Sequence, residues 1–142
     1  MAILSDLKDM NDTLVDYSSL AAGQSVSRQV YLLDAQTVSA YIAAVADASP
    51  IAGSEFVPPM AVAALSVRGV VNDLRIPGGT LHLGQEIEFV DAVRVGETIT
   101  CAAELSQNSL RGGSRILVVD LSVTAEDGKT VMTGKSTISV PV

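Results

Sequence analysis

The chain has 142 residues, of which 48% are hydrophobic and 18% charged, and this composition is typical of one folded domain with a single core. Sixteen acidic residues outnumber nine basic ones, so the net charge is −7. This charge argues against binding to nucleic acids and anionic membranes, since both require a basic surface.

Three further features restrict the class of protein. The single cysteine, Cys101, lies in an alternating strand-like run and can form neither an internal disulfide nor a multi-cysteine zinc site. The apolar run near the N-terminus is too short for a signal peptide, and no apolar stretch has the length of a membrane span. We therefore expect a cytoplasmic protein without a metal or cofactor, in which residues 1–22 form an arm and residues 23–142 form the folded domain.

The first half of the domain has one strand and a short helix. Alternating side chains predict a strand over 23–33. Asp34 is a typical N-cap residue, and the helical spacing of apolar residues after it predicts an amphipathic helix that ends near Asp47. The helix cannot continue far, because Pro50 disfavours the α conformation at the residue before it.

A longer helix and four strands follow. Residues 59–75 are apolar almost all round, which predicts a helix buried on most sides. The strands that alternation and glycine-containing turns predict cover 80–90, 97–109, 114–126 and 130–140. We interpret the string RGGSR between two of them as a hairpin turn rather than an RNA-binding element. This order predicts an α+β domain whose antiparallel sheet wraps around the long helix.

The order of elements and the segment GGTLHLGQEIEFVDAVRVGETIT, residues 78–100, resemble the MaoC-like hydratase/dehydratase family of the hotdog fold. The family acts on acyl thioesters in fatty acid metabolism, and the resemblance extends over residues 23–140. It implies a single hotdog domain and a dimer, either a homodimer or a heteromer with a catalytic hotdog subunit.

The loop before the long helix departs from the catalytic members of this family. Their pattern is Asp-x-Asn-Pro-hydrophobic-His, whereas this chain has Asp47, Ser49 and Pro50 with Ala52 in place of the histidine. Hydration of a 2-enoyl thioester needs groups that move protons and a donor for the thioester oxygen. The methyl group of Ala52 does neither, and Asp47 alone, with an expected pKa of about 4, is a weak base at neutral pH.

The start of the long helix departs in a second way. Active members tend to have His-Gly-Met there, whereas this chain has Pro58, Pro59 and Met60, and proline offers no N–H. The N–H groups of Met60 and Ala61 remain as possible donors at the positive end of the helix. The resemblance therefore points to the non-catalytic subunit of a two-part dehydratase, which binds acyl-CoA or acyl-ACP. It assigns substrate binding to Ser49, Pro59, Met60, Ala61 and Gly84.

The alternative is an active 2-enoyl-CoA hydratase/dehydratase or acyl-CoA thioesterase. Asp47 would then act with His82, the only histidine, or a glutamate such as Glu55, Glu86 or Glu88 would activate water. Each residue also has a structural explanation: Asp47 as a cap for loop N–H groups, His82 as a hydrogen-bonded strand residue, and the glutamates as a solvated surface. Binding of a small apolar ligand unrelated to thioesters is a third hypothesis.

Overall fold

A computed structural model describes residues 15–142, so most of the predicted N-terminal arm lies outside the described residues. The described part of the arm contains a short 3-10 helix, Tyr17–Ser19, whose N-cap is Asp16. The Tyr17 hydroxyl donates to the carbonyl of Leu74 at 2.6 Å, and the Asn108 amide donates to the Tyr17 carbonyl at 2.8 Å. These bonds attach the end of the arm to the folded domain.

Five antiparallel strands form one sheet within the described residues. In chain order they are β1 Ser25–Leu32, β2 Leu81–Phe89, β3 Thr98–Arg111, β4 Ser114–Ala125 and β5 Thr130–Pro141. Their order across the sheet is β1-β3-β4-β5-β2, which places β1 and β2 at the two edges. The predicted α+β architecture is confirmed, and each strand lies close to its predicted range.

Two α-helices complete the domain. Helix α1, Ala35–Val45, starts at the predicted N-cap, where the Asp34 carboxylate accepts the N–H of Thr37 at 2.8 Å. Helix α2, Pro59–Asp73, packs against the sheet and contacts β1, β3, β4 and β5. None of the helices in residues 15–142 has the length and apolar character that a bilayer crossing requires.

The hydrophobic core lies between α2 and the sheet and is built from aliphatic side chains. Burying each of these completely stabilises the fold by about 1.5–3 kcal/mol relative to exposure. Cys101 is buried on β3, and this burial raises the pKa of its thiol to about 12. The fully buried side chains with the largest volumes include Leu33, Ile99, Leu105, Leu117 and Met132.

Helix α2 approaches β1 very closely at Gly69. A Cβ atom at this position would lie 2.4 Å from Oγ of Ser27 and 2.9 Å from Cγ of Gln29, so only glycine fits without displacing these side chains. The Ser27 hydroxyl donates to the carboxylate of Asp73 at 2.7 Å, and the Gln29 amide donates to the same oxygen at 3.2 Å. The glycine that weakens the helix in isolation therefore sets its distance from the sheet.

The outer side of α2 is less buried than its composition predicts. Met60 is 56% exposed and Val71 is 50% exposed, and Ala64 and Arg68 also face outward. Helix α2 therefore has more apolar side chains than packing within one chain buries.

The RGGSR string is a hairpin turn, as predicted. Strand β3 ends at Arg111 and β4 begins at Ser114. Gly112 and Gly113 connect them with φ angles of 53° and 81°, a left-handed conformation that glycine adopts without strain.

Candidate functional site

Asp47 immediately follows the end of α1. The helix ends at Ala46, which has a left-handed φ of 53°, and the N–H of Asp47 still donates to the Ile42 carbonyl at 3.0 Å. The Asp47 carboxylate then accepts the N–H of Ser49 at 2.8 Å. Hydrogen bonding by Ser49, through its side chain and its backbone, lowers the pKa of Asp47 below the usual value of 3.8. The carboxylate is therefore a poor proton acceptor.

The rest of the loop supplies no replacement base next to Asp47. The half-buried Ala52 donates its N–H to the Ser49 carbonyl at 3.1 Å as part of a turn. Glu55 forms an ion pair with Arg94, whose guanidinium carbon lies 5.0 Å from the centroid of the Phe56 ring. The carboxylate of Glu55 is therefore already paired with a cation.

The start of α2 follows the loop. Pro58 is its N-cap and Pro59 its first residue, so neither contributes an N–H. The N–H of Ala61 donates to the Pro58 carbonyl at 2.9 Å and is therefore used inside the helix. The sequence offered the N–H groups of Met60 and Ala61 as possible donors to a ligand. Of these two, the N–H of Met60 lies before the first hydrogen bond inside the helix and is not used by it.

A cavity of about 540 Å³ lies between α1 and α2; we call it the α1–α2 cavity. Its walls are mainly apolar, and Thr37 and Arg68 are among its polar residues. Of the residues assigned to substrate binding, Ala61 lines this cavity, whereas Asp47 and Ser49 do not. The apolar residues that line it include Leu33, Val38, Tyr41, Val57 and Leu65.

His82 lies on the exposed edge strand β2, and its ring is hydrogen-bonded. One ring nitrogen, Nε2, is 3.0 Å from Oε1 of Gln85 and 3.1 Å from Oγ of Ser136. Since a carbonyl oxygen only accepts, this arrangement requires Nε2 to carry the proton. That nitrogen is therefore unable to take a proton from Ser136 or from water.

The structure does not bring Asp47 and His82 together within one chain. His82 lines a second cavity of about 330 Å³ near the C-terminal end of α2, which we call the α2–β2 cavity. Asp47 lines neither this cavity nor the α1–α2 cavity, and the two cavities share no lining residue.

The remaining site residues are near the surface. Pro59 and Met60 are exposed at the start of α2, and Gly84 is exposed on β2, where it pairs with Thr137 of β5. Glu86 and Glu88 are exposed on the same strand. Their placement agrees with a solvated surface better than with a buried base.

Sequence reasoning missed several residues that line the cavities. Tyr41 could have been found, because it shares the apolar face of α1 with Val38. Arg68 is one of six arginines whose charge suits the phosphates of a coenzyme A or phosphopantetheine carrier, but its spacing does not place it at a cavity, and Ser136 carries no signal. Their positions depend on how α2 packs against α1 and on the register between β2 and β5.

Comparison with known proteins identifies a matching family and solved structures with a similar fold. Residues 21–134 match the family model described as FAS1-like, dehydratase domain region. The (R)-hydratase from A. caviae involved in PHA biosynthesis is 25% identical, with a TM-score of 0.72 over 87% of this chain and 98% of that one. Among curated proteins, no sequence matches this chain.

Two further solved structures share the fold. The MaoC-like dehydratase from Rhodospirillum rubrum is 16% identical, with a TM-score of 0.68 over 87% of this chain and 94% of that chain. A chain of the HadBC (3R-hydroxyacyl-ACP dehydratase) complex from Mycobacterium tuberculosis is 20% identical, with a TM-score of 0.69 over 83% of this chain and 96% of that chain.

The sheet, the central helix and these matches define a hotdog domain of the MaoC-like type. The chain belongs to the FAS1-like dehydratase-region family.

The pKa of Asp47 is directly testable. We expect its carboxyl group to titrate below 3.8 in a ¹³C NMR titration, because Ser49 stabilises the charged form. A folded pKa below the unfolded value stabilises the protein above the unfolded pKa, and this stabilisation is lost as pH falls through the folded pKa. Urea unfolding at a series of acidic pH values should show that Asp47→Asn removes this part of the pH dependence.

Asp91 is the internal control for this titration, because hydrogen bonding from Lys129 lowers its pKa independently of the loop. Its titration should be the same in the Asp47→Asn variant. A value at or above 3.8 for Asp47 would contradict the hydrogen bonding described above.

Proposed function

We propose that this protein is a cytoplasmic, non-catalytic hotdog subunit of the hydratase/dehydratase family that binds acyl-CoA or acyl-ACP. The observation that carries the proposal is the loop after α1. By the sequence resemblance, Ala52 stands where catalytic members of the family have a histidine, and in the structure the Asp47 carboxylate accepts the N–H of Ser49. This loop lacks a group that could activate water at neutral pH.

The α1–α2 cavity is the proposed site for the acyl chain. Its volume of about 540 Å³ is within the range of small-molecule pockets, about 300–1,000 Å³, and its walls are mainly apolar. Each methylene group that the cavity removes from water contributes about 0.8 kcal/mol to binding. Arg68 lines the cavity, and its guanidinium group suits the phosphates of coenzyme A or a phosphopantetheine arm.

The residues assigned to substrate binding keep that role as part of this proposal. Ala61 forms part of the cavity wall, and Pro59 and Met60 directly precede it in α2. Ser49 is in the preceding loop, and Gly84 lies on the edge strand that a partner subunit would approach.

An independently active enzyme is the less favoured hypothesis. It would require Asp47 to cooperate with His82, but the two side chains have different partners and line no common cavity. Activation of water by Glu55 is disfavoured as well, because its carboxylate pairs with Arg94.

We propose further that the subunit acts as a dimer, with itself or with a catalytic hotdog relative, and that β2 forms the contact. Every residue of β2 is exposed or only partly buried, and Leu81 and Leu83 are 62% and 54% exposed. A strand at a sheet edge offers unpaired backbone groups to a second strand. The relative from M. tuberculosis is itself described as a complex, HadBC.

Acyl binding is tested by filling the cavity. The Ala64→Phe variant adds a large side chain at an exposed position of the cavity wall, so decanoyl-CoA should bind at least about tenfold more weakly than to the unchanged protein. Isothermal titration calorimetry measures the affinity. The matched control is Asn72→Phe, which places the same side chain on the exposed surface of α2 away from this cavity. Equal binding by both variants would contradict the assignment of the cavity.

The absence of catalysis is tested with the purified protein alone. Crotonyl-CoA hydration and acyl-CoA hydrolysis should both stay at background, and Asp47→Asn should leave them unchanged, because the loop contains no competent base. Adding a hotdog protein encoded by a neighbouring gene should produce turnover if that protein is the catalytic partner. Turnover by the purified chain that disappears in Asp47→Asn would establish an enzyme instead.

The proposed dimer contact through β2 is tested by introducing positive charges on this strand. Introducing Leu81→Lys and Leu83→Lys together should convert the dimer to a monomer in sedimentation equilibrium, because two ammonium groups would be buried at the contact. The matched variant carries Val30→Lys and Leu32→Lys on the other edge strand, where these residues are 63% and 56% exposed. Dissociation of the second variant alone would assign the contact to β1.

A further inference from the structure

The α2–β2 cavity has the composition of a ligand site in its own right. Its volume is about 330 Å³, and it is separate from the proposed acyl cavity, because the two have no lining residue in common. One side is aliphatic and is formed by the C-terminal half of α2, the segment after it and strand β5. The aliphatic residues of this side are Val67, Val70, Val71, Ile76 and Ile138.

The polar side of the cavity is formed by Thr80, His82 and Ser136. The side-chain oxygen of Thr80 is buried and has no hydrogen-bond partner among residues 15–142. Ser136 is only 6% exposed, and its hydroxyl oxygen lies 3.1 Å from Nε2 of His82. An unsatisfied buried hydroxyl destabilises the folded protein, and a ligand with a suitable acceptor would recover this cost.

Both hydroxyl groups can donate a hydrogen bond to a ligand in the cavity. Oε1 of Gln85 accepts from Nε2 of His82, so this nitrogen carries the proton and offers no lone pair to Ser136. The hydroxyl hydrogen of Ser136 is therefore available to a ligand, as is that of Thr80.

The same arrangement excludes a serine nucleophile. A serine–histidine pair in catalysis needs a ring nitrogen that accepts the serine proton while the other nitrogen is held by a third group. Here Gln85 and Ser136 both contact the same nitrogen, Nε2. The cluster is suited to binding and not to acyl transfer.

We propose that the α2–β2 cavity is a second ligand site, which binds short-chain aliphatic carbonyl compounds through the hydroxyl groups of Thr80 and Ser136. Two hydroxyl donors that line one cavity suit the oxygen of a carboxylate or an amide, and the aliphatic side of the cavity accepts a short alkyl chain. A free acid and a neutral amide share this chemistry, and the experiment below distinguishes them.

The test uses the full chain in the oligomeric state that it adopts in solution. Hexanoate and hexanamide are titrated separately into ¹⁵N-labelled protein and followed by NMR. Binding at this site should shift the amide signals of Thr80, His82 and Ser136 and leave those of Ala61 and Leu65 unchanged. The ratio of the two dissociation constants reports whether the site prefers the anion or the neutral carbonyl group.

Two variants probe the donors, and two serve as controls. Thr80→Val and Ser136→Ala should each weaken binding of the preferred probe about tenfold, since each removes one hydrogen bond from a buried site. Thr133→Val and Ser122→Ala make the same chemical changes at exposed positions of the sheet and should bind with unchanged affinity. Thermal unfolding identifies any variant that fails to fold. If Ser136→Ala is unfolded, the affinity of Thr80→Val alone tests whether the hydroxyl groups bind the ligand.

Three results would overturn the proposal: no chemical-shift change at millimolar probe, changes confined to the α1–α2 cavity, or full affinity in Thr80→Val. Saturating decanoyl-CoA should not displace hexanoate, because the two ligands occupy different cavities. Failure of decanoyl-CoA binding concerns the proposed function, whereas failure of hexanoate or hexanamide binding concerns this second site, so the two outcomes are separable.

Discussion

A single helix, α2, covers the apolar face of a five-stranded sheet in residues 15–142, and the rest of the structure follows from this constraint. The helix can come close enough because position 69 is glycine, which brings the backbone of α2 onto Ser27 of β1. Asp73 then fixes the end of the helix by accepting hydrogen bonds from Ser27 and Gln29. Different faces of this helix line two cavities, one shared with α1 and one shared with β2 and β5.

This arrangement also determines which side chains can work together. A helix of 15 residues is about 22 Å long at 1.5 Å per residue. The loop that carries Asp47 leads into the start of α2, whereas the cavity lined by His82 lies at its C-terminal half. Asp47 and His82 accordingly have separate hydrogen-bond partners, Ser49 for the first and Gln85 with Ser136 for the second.

Much of the fold was predictable from local signals. Alternating side chains and glycine turns located the strands, and Asp34 located the start of α1, because these features depend on residues adjacent in the chain. The exposure of α2 was not predictable in this way. Its apolar composition indicates burial, but Met60 and Val71 face outward in the single chain. Composition alone does not indicate which surface covers an apolar side chain.

The site was predictable to a smaller extent. The local spacing of Asp47 and Ser49 suggested that the carboxylate caps its own loop, and the hydrogen bond between them agrees with that interpretation. The contact between His82 and Ser136 joins residues 54 positions apart. It depends on the register between β2 and β5, which shifts between His82 and Gly84, and no single-sequence pattern reveals such a shift.

The two prolines at the start of α2 have a consequence for the history of the chain. If an ancestor hydrated thioesters, a histidine at position 52 would restore a group that moves protons, but the start of α2 would still restrict the stabilisation of the thioester oxygen. Pro58 and Pro59 offer no N–H, and the N–H of Ala61 is bonded to the Pro58 carbonyl, so the developing negative charge would be left with the N–H of Met60 as its donor from these four residues. A single substitution in the loop would therefore produce an enzyme that depends on one backbone donor at this helix start.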